Sequence, residues 1–134
     1  MNTENQQSTI LSNLGIDALN KMQFEAQRTI INKNNTILLS PTGSGKTLAF
    51  LLPIWQLLSE DIKTVQCLVI VPSRELALQI EQVWKKMGTK LKVNVCYGGH
   101  SIETELNNLS NPPALLIGTP GRLTDHLARE SFDT

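Results

Sequence analysis

Ser40-Pro41-Thr42-Gly43-Ser44-Gly45-Lys46-Thr47 constrains the fold of this chain more than any other stretch. It follows the apolar run Thr36–Leu39, which predicts a buried strand over 36–40, and passes directly into Leu48–Leu52, which continues as a helix. Strand, glycine-bearing turn, Gly-Lys-Thr and helix is the layout of a phosphate-binding loop. The glycines let the backbone curl until several N–H groups converge on a polyphosphate. The helix beginning near Lys46 adds its positive end to the same spot. In this layout Thr42, Gly43, Ser44 and Gly45 form the cradle, Lys46 supplies a full positive charge, and the Thr47 hydroxyl ligates Mg2+. One departure is visible: the general pattern opens with Gly, and Ser40 stands there.

The rest of the chain alternates in the same manner. Helical spacing covers 8–14 and 20–32, and Asn20 followed by Gln23 predicts a capping box for the second helix. A helix over 46–59 follows the loop. Gln66–Val71 reads as a second buried strand, with a helix from Ser73 to Met87. Lys92–Tyr97 alternates as a third strand before a helix from Ile102, and Ala114–Ile117 is a fourth strand before a helix from Pro120. Strand alternating with helix implies right-handed crossovers and a largely parallel sheet flanked by helices. The expected fold class is therefore α/β of the P-loop kind. With 134 residues there is room for one domain around one core.

In an open parallel sheet the strands end at one edge, and ligands gather there. Three turns are expected on the side of the phosphate loop: Pro72-Ser73-Arg74-Glu75, Gly98-Gly99-His100-Ser101 and Thr119-Pro120-Gly121-Arg122. Each opens a helix. Ser73, Ser101 and Thr119 suit helix caps, and Pro120 suits a first helical position. Ordinary capping explains each hydroxyl alone; a row of such turns with Arg74 and Arg122 suits a sugar-phosphate backbone.

Composition excludes some classes. Formal net charge is zero, so any nucleic-acid contact must be local rather than polycationic. No apolar run is long enough to span a membrane, and Met1–Gln7 lacks the pattern of a signal peptide. Cys67 and Cys96 fall in strand-like runs and read as buried thiols rather than a disulfide, which points to the cytoplasm. Trp55 and Trp84 read as core residues, and Lys85, Lys86, Lys90 and Lys92 as a solvated basic face. His100 stands where it could touch a phosphate, His126 reads as a surface helix residue, and no Cys or His spacing suggests a metal site.

The order and spacing of 40–47, Pro72–Ala77, Gly98-Gly99 and Thr119–Arg122 resemble motif I, motif Ia, the glycine doublet and motif Ib of the DEAD-box RNA helicases. Gly15–Gln23, with Ala26 beyond it, resembles that family's Q-motif, and the likeness covers nearly the whole chain. The resemblance implies a RecA-like ATP-binding domain, with a Q-motif region at 10–27 leading into the P-loop core at the start of a partial domain over 1–134. It implies ATP and Mg2+ as cofactors, with Gln23 reading the adenine edge and Ile16 in contact with the base. It also implies RNA as partner, bound through the backbone at Pro72, Ser73, Arg74, Gly98, Gly99, Thr119, Pro120, Gly121 and Arg122.

Several positions depart from the family pattern. Ile16 replaces an aromatic that would stack on adenine, Leu19 and Asn20 replace Pro and Thr, and Ser73 replaces Thr with the hydroxyl kept. The Asp-Glu-Ala-Asp segment expected after motif Ib is absent from these 134 residues, as is a second RecA-like domain. The resemblance therefore implies a truncated domain, poor hydrolysis by the chain alone and marginal stability. Two alternatives stand beside it: a catalytically inert nucleotide- or RNA-binding module, and another P-loop enzyme such as a small-molecule kinase.

Overall fold

The structure is a computed structural model that describes residues 4–133. The chain divides into two compact units. One gathers the described residues up to Leu57 with Lys86–Thr89; the other gathers Leu58–Lys85 with Lys90 onward.

The first unit is helical: α1 (Glu4–Asn13), α2 (Lys21–Asn32) and α3 (Lys46–Leu57). The expected capping box is present at the start of α2. The Asn20 side chain accepts from Gln23 N at 2.8 Å, and the Gln23 side chain accepts from Asn20 N at 3.0 Å. Two otherwise unpaired N–H groups are thus satisfied. α2 packs on α3, whose Leu48, Ala49, Leu51, Leu52 and Trp55 are buried. Each buried leucine among these contributes about 2 kcal/mol on leaving water. α1 is tied to the unit's second segment by Asn13 Nδ2, which donates to Met87 O at 3.0 Å.

The strand expected over 36–40 is not formed. The segment is extended but joins no ladder among the described residues, and Ile37 and Leu39 are 87 % and 89 % exposed. An apolar run becomes a strand only when a neighbour takes its backbone groups. The first unit contains no other strand among its described residues to do so.

The second unit carries the sheet. β1 (Cys67–Ile70), β2 (Val93–Cys96) and β3 (Leu115–Gly118) alternate with α4 (Arg74–Met87), α5 (Ile102–Leu109) and α6 (Pro120–Ala128). The sheet order is β1-β3-β2, and both pairings are parallel, with Cys67 and Val93 level with Leu115. β3 is central, and Leu115, Leu116 and Ile117 are wholly buried, as a strand covered on both faces requires. β1 departs from the expected buried strand: it lies at the edge, and Leu68 and Ile70 are exposed on one of its faces.

Cys96, Leu109, Leu116, Leu123 and Phe132 form one buried cluster with Val65 against it. Gly118 permits the closest approach there: a Cβ would stand 2.8 Å from Cys96 O and 2.7 Å from Leu123 Cγ. Trp84 is a core residue as expected, and its Nε1 donates to Leu91 O at 3.1 Å.

Candidate functional site

The phosphate-loop sequence leads directly into α3, with Lys46 and Thr47 at the helix's first two positions. Gly43 and Gly45 adopt positive φ of 80° and 89°, where a side chain would be strained. The loop is laced to itself. Ser44 N donates to Pro41 O at 3.3 Å, Ser44 Oγ donates to the same carbonyl at 2.6 Å, and the hydroxyls of Ser40 and Ser44 lie 2.5 Å apart. Ser40, the departure from the usual opening glycine, thus gives the loop an extra internal bond.

The Q-motif residues reach this loop. Asn20 Nδ2 donates to Ser44 O at 3.1 Å, and Gln23 Nε2 donates to Gly45 O at 3.2 Å. Gln23 is buried, with its oxygen on the backbone of Asn20 and its nitrogen on the loop. A Cβ on Gly45 would collide with Gln23 Nε2, so the glycine also makes room for this contact. Gln27, the neighbouring amide, is bonded instead to Gln7 and Gln56. Ile16 is half-buried, and its N–H donates to Leu11 O at 2.9 Å.

In the second unit the parallel ladders bring the ends of β1, β2 and β3 to one edge, so the turns at 72–75, 97–101 and 119–122 share it. Pro72, Arg74, Gly98, Gly99, Pro120 and Gly121 are exposed, and Ser73 and Thr119 are half-buried. Ser73 Oγ accepts from Leu76 N at 3.3 Å, and Ser101 caps α5 through Thr104 N. Thr119 occupies the cap position of α6 without a side-chain cap bond, followed by Pro120 as expected. Arg74 pairs with Glu75 at 3.2 Å. The Glu75 carboxyl lies below its ordinary range because of its own backbone N–H and then Arg74.

Arg122 does not project freely. Its side chain is 14 % exposed. Nε donates to Tyr97 O at 3.1 Å and lies 3.1 Å from Glu105 Oε1, while Nη2 donates to His100 O.

Glu105, wholly buried, was not singled out by the sequence reading. Its Oε1 bonds His126 Nε2 at 2.7 Å. Its Oε2 accepts from Tyr97 N at 3.1 Å and meets His100 Nδ1 at 2.8 Å. His126, expected on the surface, is fully buried; its other ring nitrogen meets Ser131 Oγ at 3.0 Å. His100 is partly exposed and stacks on Tyr97 with centroids 4.9 Å apart. The single signal in the sequence was an acid one turn into a helix, which reads equally well as a dipole partner.

Cys96, Glu105 and His126 also bring three possible metal-ligand atoms within 4.8 Å of one another, a grouping their spacing did not suggest. Arg122 shares the Glu105 oxygen, so a cation there would face a guanidinium. The Cys96 thiol is pushed up to about 12 by burial and by Glu105, which disfavours the thiolate a metal requires. The cluster is a self-satisfied network. Both cysteines are free, as expected, and burial raises Cys67 as well. Of the basic cluster, Lys85 pairs with Glu81 at 3.6 Å, while Lys92 Nζ caps the end of α5 through Asn108 O at 2.9 Å and also meets Asn111 O.

A glycine loop entering a helix, together with a parallel sheet whose strand ends carry exposed turns, defines a RecA-like P-loop α/β fold. The profile of the DEAD/DEAH box helicase family matches residues 20–134, and the chain belongs to that family. It is 38 % identical over 126 residues to ATP-dependent RNA helicase DeaD of Escherichia coli (strain K12), covering 92 % of this chain and 20 % of that protein. A hypothetical ATP-dependent RNA helicase from Sulfolobus tokodaii superposes with a TM-score of 0.84 at 26 % identity, over 98 % of this chain and 38 % of its own. The yeast DEAD-box splicing factor Prp28 does so with a TM-score of 0.79 at 28 % identity, over 98 % of this chain and 33 % of its own. The chain thus spans about a fifth of the DeaD sequence it matches. No helix among the described residues is long and apolar enough to cross a membrane.

Proposed function

We propose that these residues are the ATP- and RNA-binding portion of a DEAD-box ATP-dependent RNA helicase. Thr42–Gly45 cradle the phosphates, Lys46 neutralises them, Thr47 ligates Mg2+, and Gln23 and Ile16 meet the adenine. In this reading Gln23 exchanges its bonds within the first unit for the base edge when nucleotide binds. RNA lies along Pro72–Arg74, Gly98-Gly99 and Thr119–Arg122 as a sugar-phosphate backbone, without regard to sequence. Hydrolysis and unwinding are assigned to no residue among these 134. Two free thiols suit a cytoplasmic setting.

The loop geometry carries the reading. Two positive-φ glycines flank Ser44, and Lys46 and Thr47 open a twelve-residue helix whose unpaired N–H groups face the loop. The residues fit a polyphosphate, since a Cβ on Gly43 would meet nothing within 4 Å and that side of the loop is open.

A thermal melt with and without Mg-ATP, on the wild type and on Lys46→Ala, tests it. A ligand that binds only the folded chain at about a hundred times its Kd adds about 2.7 kcal/mol. The expected stabilisation appears in the wild type and vanishes in Lys46→Ala. A nucleotide-insensitive melt of a folded wild type would refute the nucleotide assignment.

A further inference from the structure

Among the turns at the sheet edge, the glycine doublet is the one suspended from a buried charge. Tyr97 N donates to Glu105 Oε2 and His100 Nδ1 meets the same oxygen, so both ends of the turn hang from one carboxylate. The carbonyls of Tyr97 and His100 accept from Arg122, which is itself paired with Glu105 Oε1. Between these ends, Gly98 and Gly99 are exposed. His126 completes the other side of the carboxylate from inside α6.

We propose that Glu105 is a positioning residue that fixes the Tyr97–His100 turn and the first turn of α6 as one preorganised surface for the nucleic-acid backbone. This rests on the RNA reading above. The groups facing the carboxylate are known from every element around it: His100 and Tyr97 from the turn, Arg122 and His126 from α6, and Cys96 from β2. All of them, the Cys96 thiol included, are donors or cations, so Glu105 is fully used by the fold and has no capacity left for a ligand. Its effect on RNA passes through the amides of Gly98 and Gly99. A phosphate bound by backbone N–H groups needs them converged beforehand, and a loosened turn must be ordered at the moment of binding.

The test uses Glu105→Gln, which keeps the shape but replaces one accepting oxygen with an NH2 that faces donors on either side. Three readouts are taken on the chain: affinity for a short fluorescent oligouridine, amide resonances of Gly98 and Gly99 without RNA, and the Mg-ATP shift of the melt. The expected result is displaced or broadened Gly98 and Gly99 resonances, RNA affinity lower by about tenfold, and an unchanged nucleotide shift. A purely structural role would lower the melt without moving the free-state amides in the variant that still folds. Unchanged amides, or unchanged RNA affinity where the wild type binds, overturn the proposal. If the wild type shows no RNA affinity, the RNA reading and the proposed RNA role of Glu105 both fall, while the amide resonances still decide whether Glu105 holds the turn. Should Glu105→Gln fail to fold, Glu105→Asp retains the charge for Arg122 and His126 while withdrawing it by one methylene, and the same readouts decide.

Discussion

In the first unit the turn at 41–45 is held by neutral hydrogen bonds. Asn20 and Gln23 donate to its carbonyls, and Ser40 and Ser44 lace it from within. In the second unit the turn at 97–100 is held by a wholly buried carboxylate with Arg122, His100 and His126 around it. Neutral bonds of this kind each contribute about 1 kcal/mol net, so a ligand can displace them at small cost. A buried charge set breaks only by leaving a charge unpaired, which costs several times more. The bonds of the 41–45 turn can therefore be exchanged at small cost, whereas the glycine-doublet turn is held in place.

Removing the carboxylate should break this contrast most severely. Glu105→Ala leaves Arg122 buried without its counter-charge and His126 without its hydrogen-bond partner, and should cost about 3–5 kcal/mol, read as a lower urea midpoint. A loss under 1 kcal/mol would show that the network is not what holds the second unit. Gly118→Ala comes next. Its methyl must push apart the Cys96 carbonyl and Leu123, and overpacking of this kind costs about 1–3 kcal/mol. The same urea titration reads it, and a neutral result would mean that β2 and α6 yield freely at that point.

Gln23→Ala should cost only about 1 kcal/mol, since it removes half of a capping box and one bond to Gly45 O. The same variant should narrow the discrimination between ATP and GTP in a competition assay. An unchanged ratio would remove Gln23 from the adenine site.

One effect appears only at alkaline pH and is absent near neutrality. The Cys96 thiol is raised from its ordinary 9.0 to about 12, so the folded chain keeps a proton that the unfolded chain releases in that interval. That contribution is fully present below pH 9 and is lost as pH rises towards 12, with a slope approaching one proton. Cys96→Ala should flatten that part of the stability curve. An identical slope in the variant would assign the alkaline loss to other groups.

Local signals gave most of the elements. The capping box at Asn20 and Gln23, Ser101 as the cap of α5 and Pro120 at the start of α6 stand where residue chemistry puts them. The wholly apolar Leu115–Ile117 became the central strand, because a run with no polar face must be covered on both sides. Thr36–Leu39 carries a similar signal and forms no ladder, while Leu68 and Ile70 stay exposed on an edge. Hydrophobicity records the burial a segment could accept; pairing depends on which backbone lies beside it, and that is not a local property.

The sequence by itself determined the glycine turn that opens α3, the parallel pairing of strands alternating with helices and the family, because glycine φ, helix caps and motif spacing act within a few residues. Tertiary structure alone decided that Glu105 and His126, 21 positions apart, share a buried hydrogen bond, and that Arg122 turns inward to the carbonyls of Tyr97 and His100. A charge goes inside only where its partners already wait, and those of Glu105 come from α6 and the turn after β2. Their meeting is fixed by the packing of the sheet, which no stretch of the chain records alone.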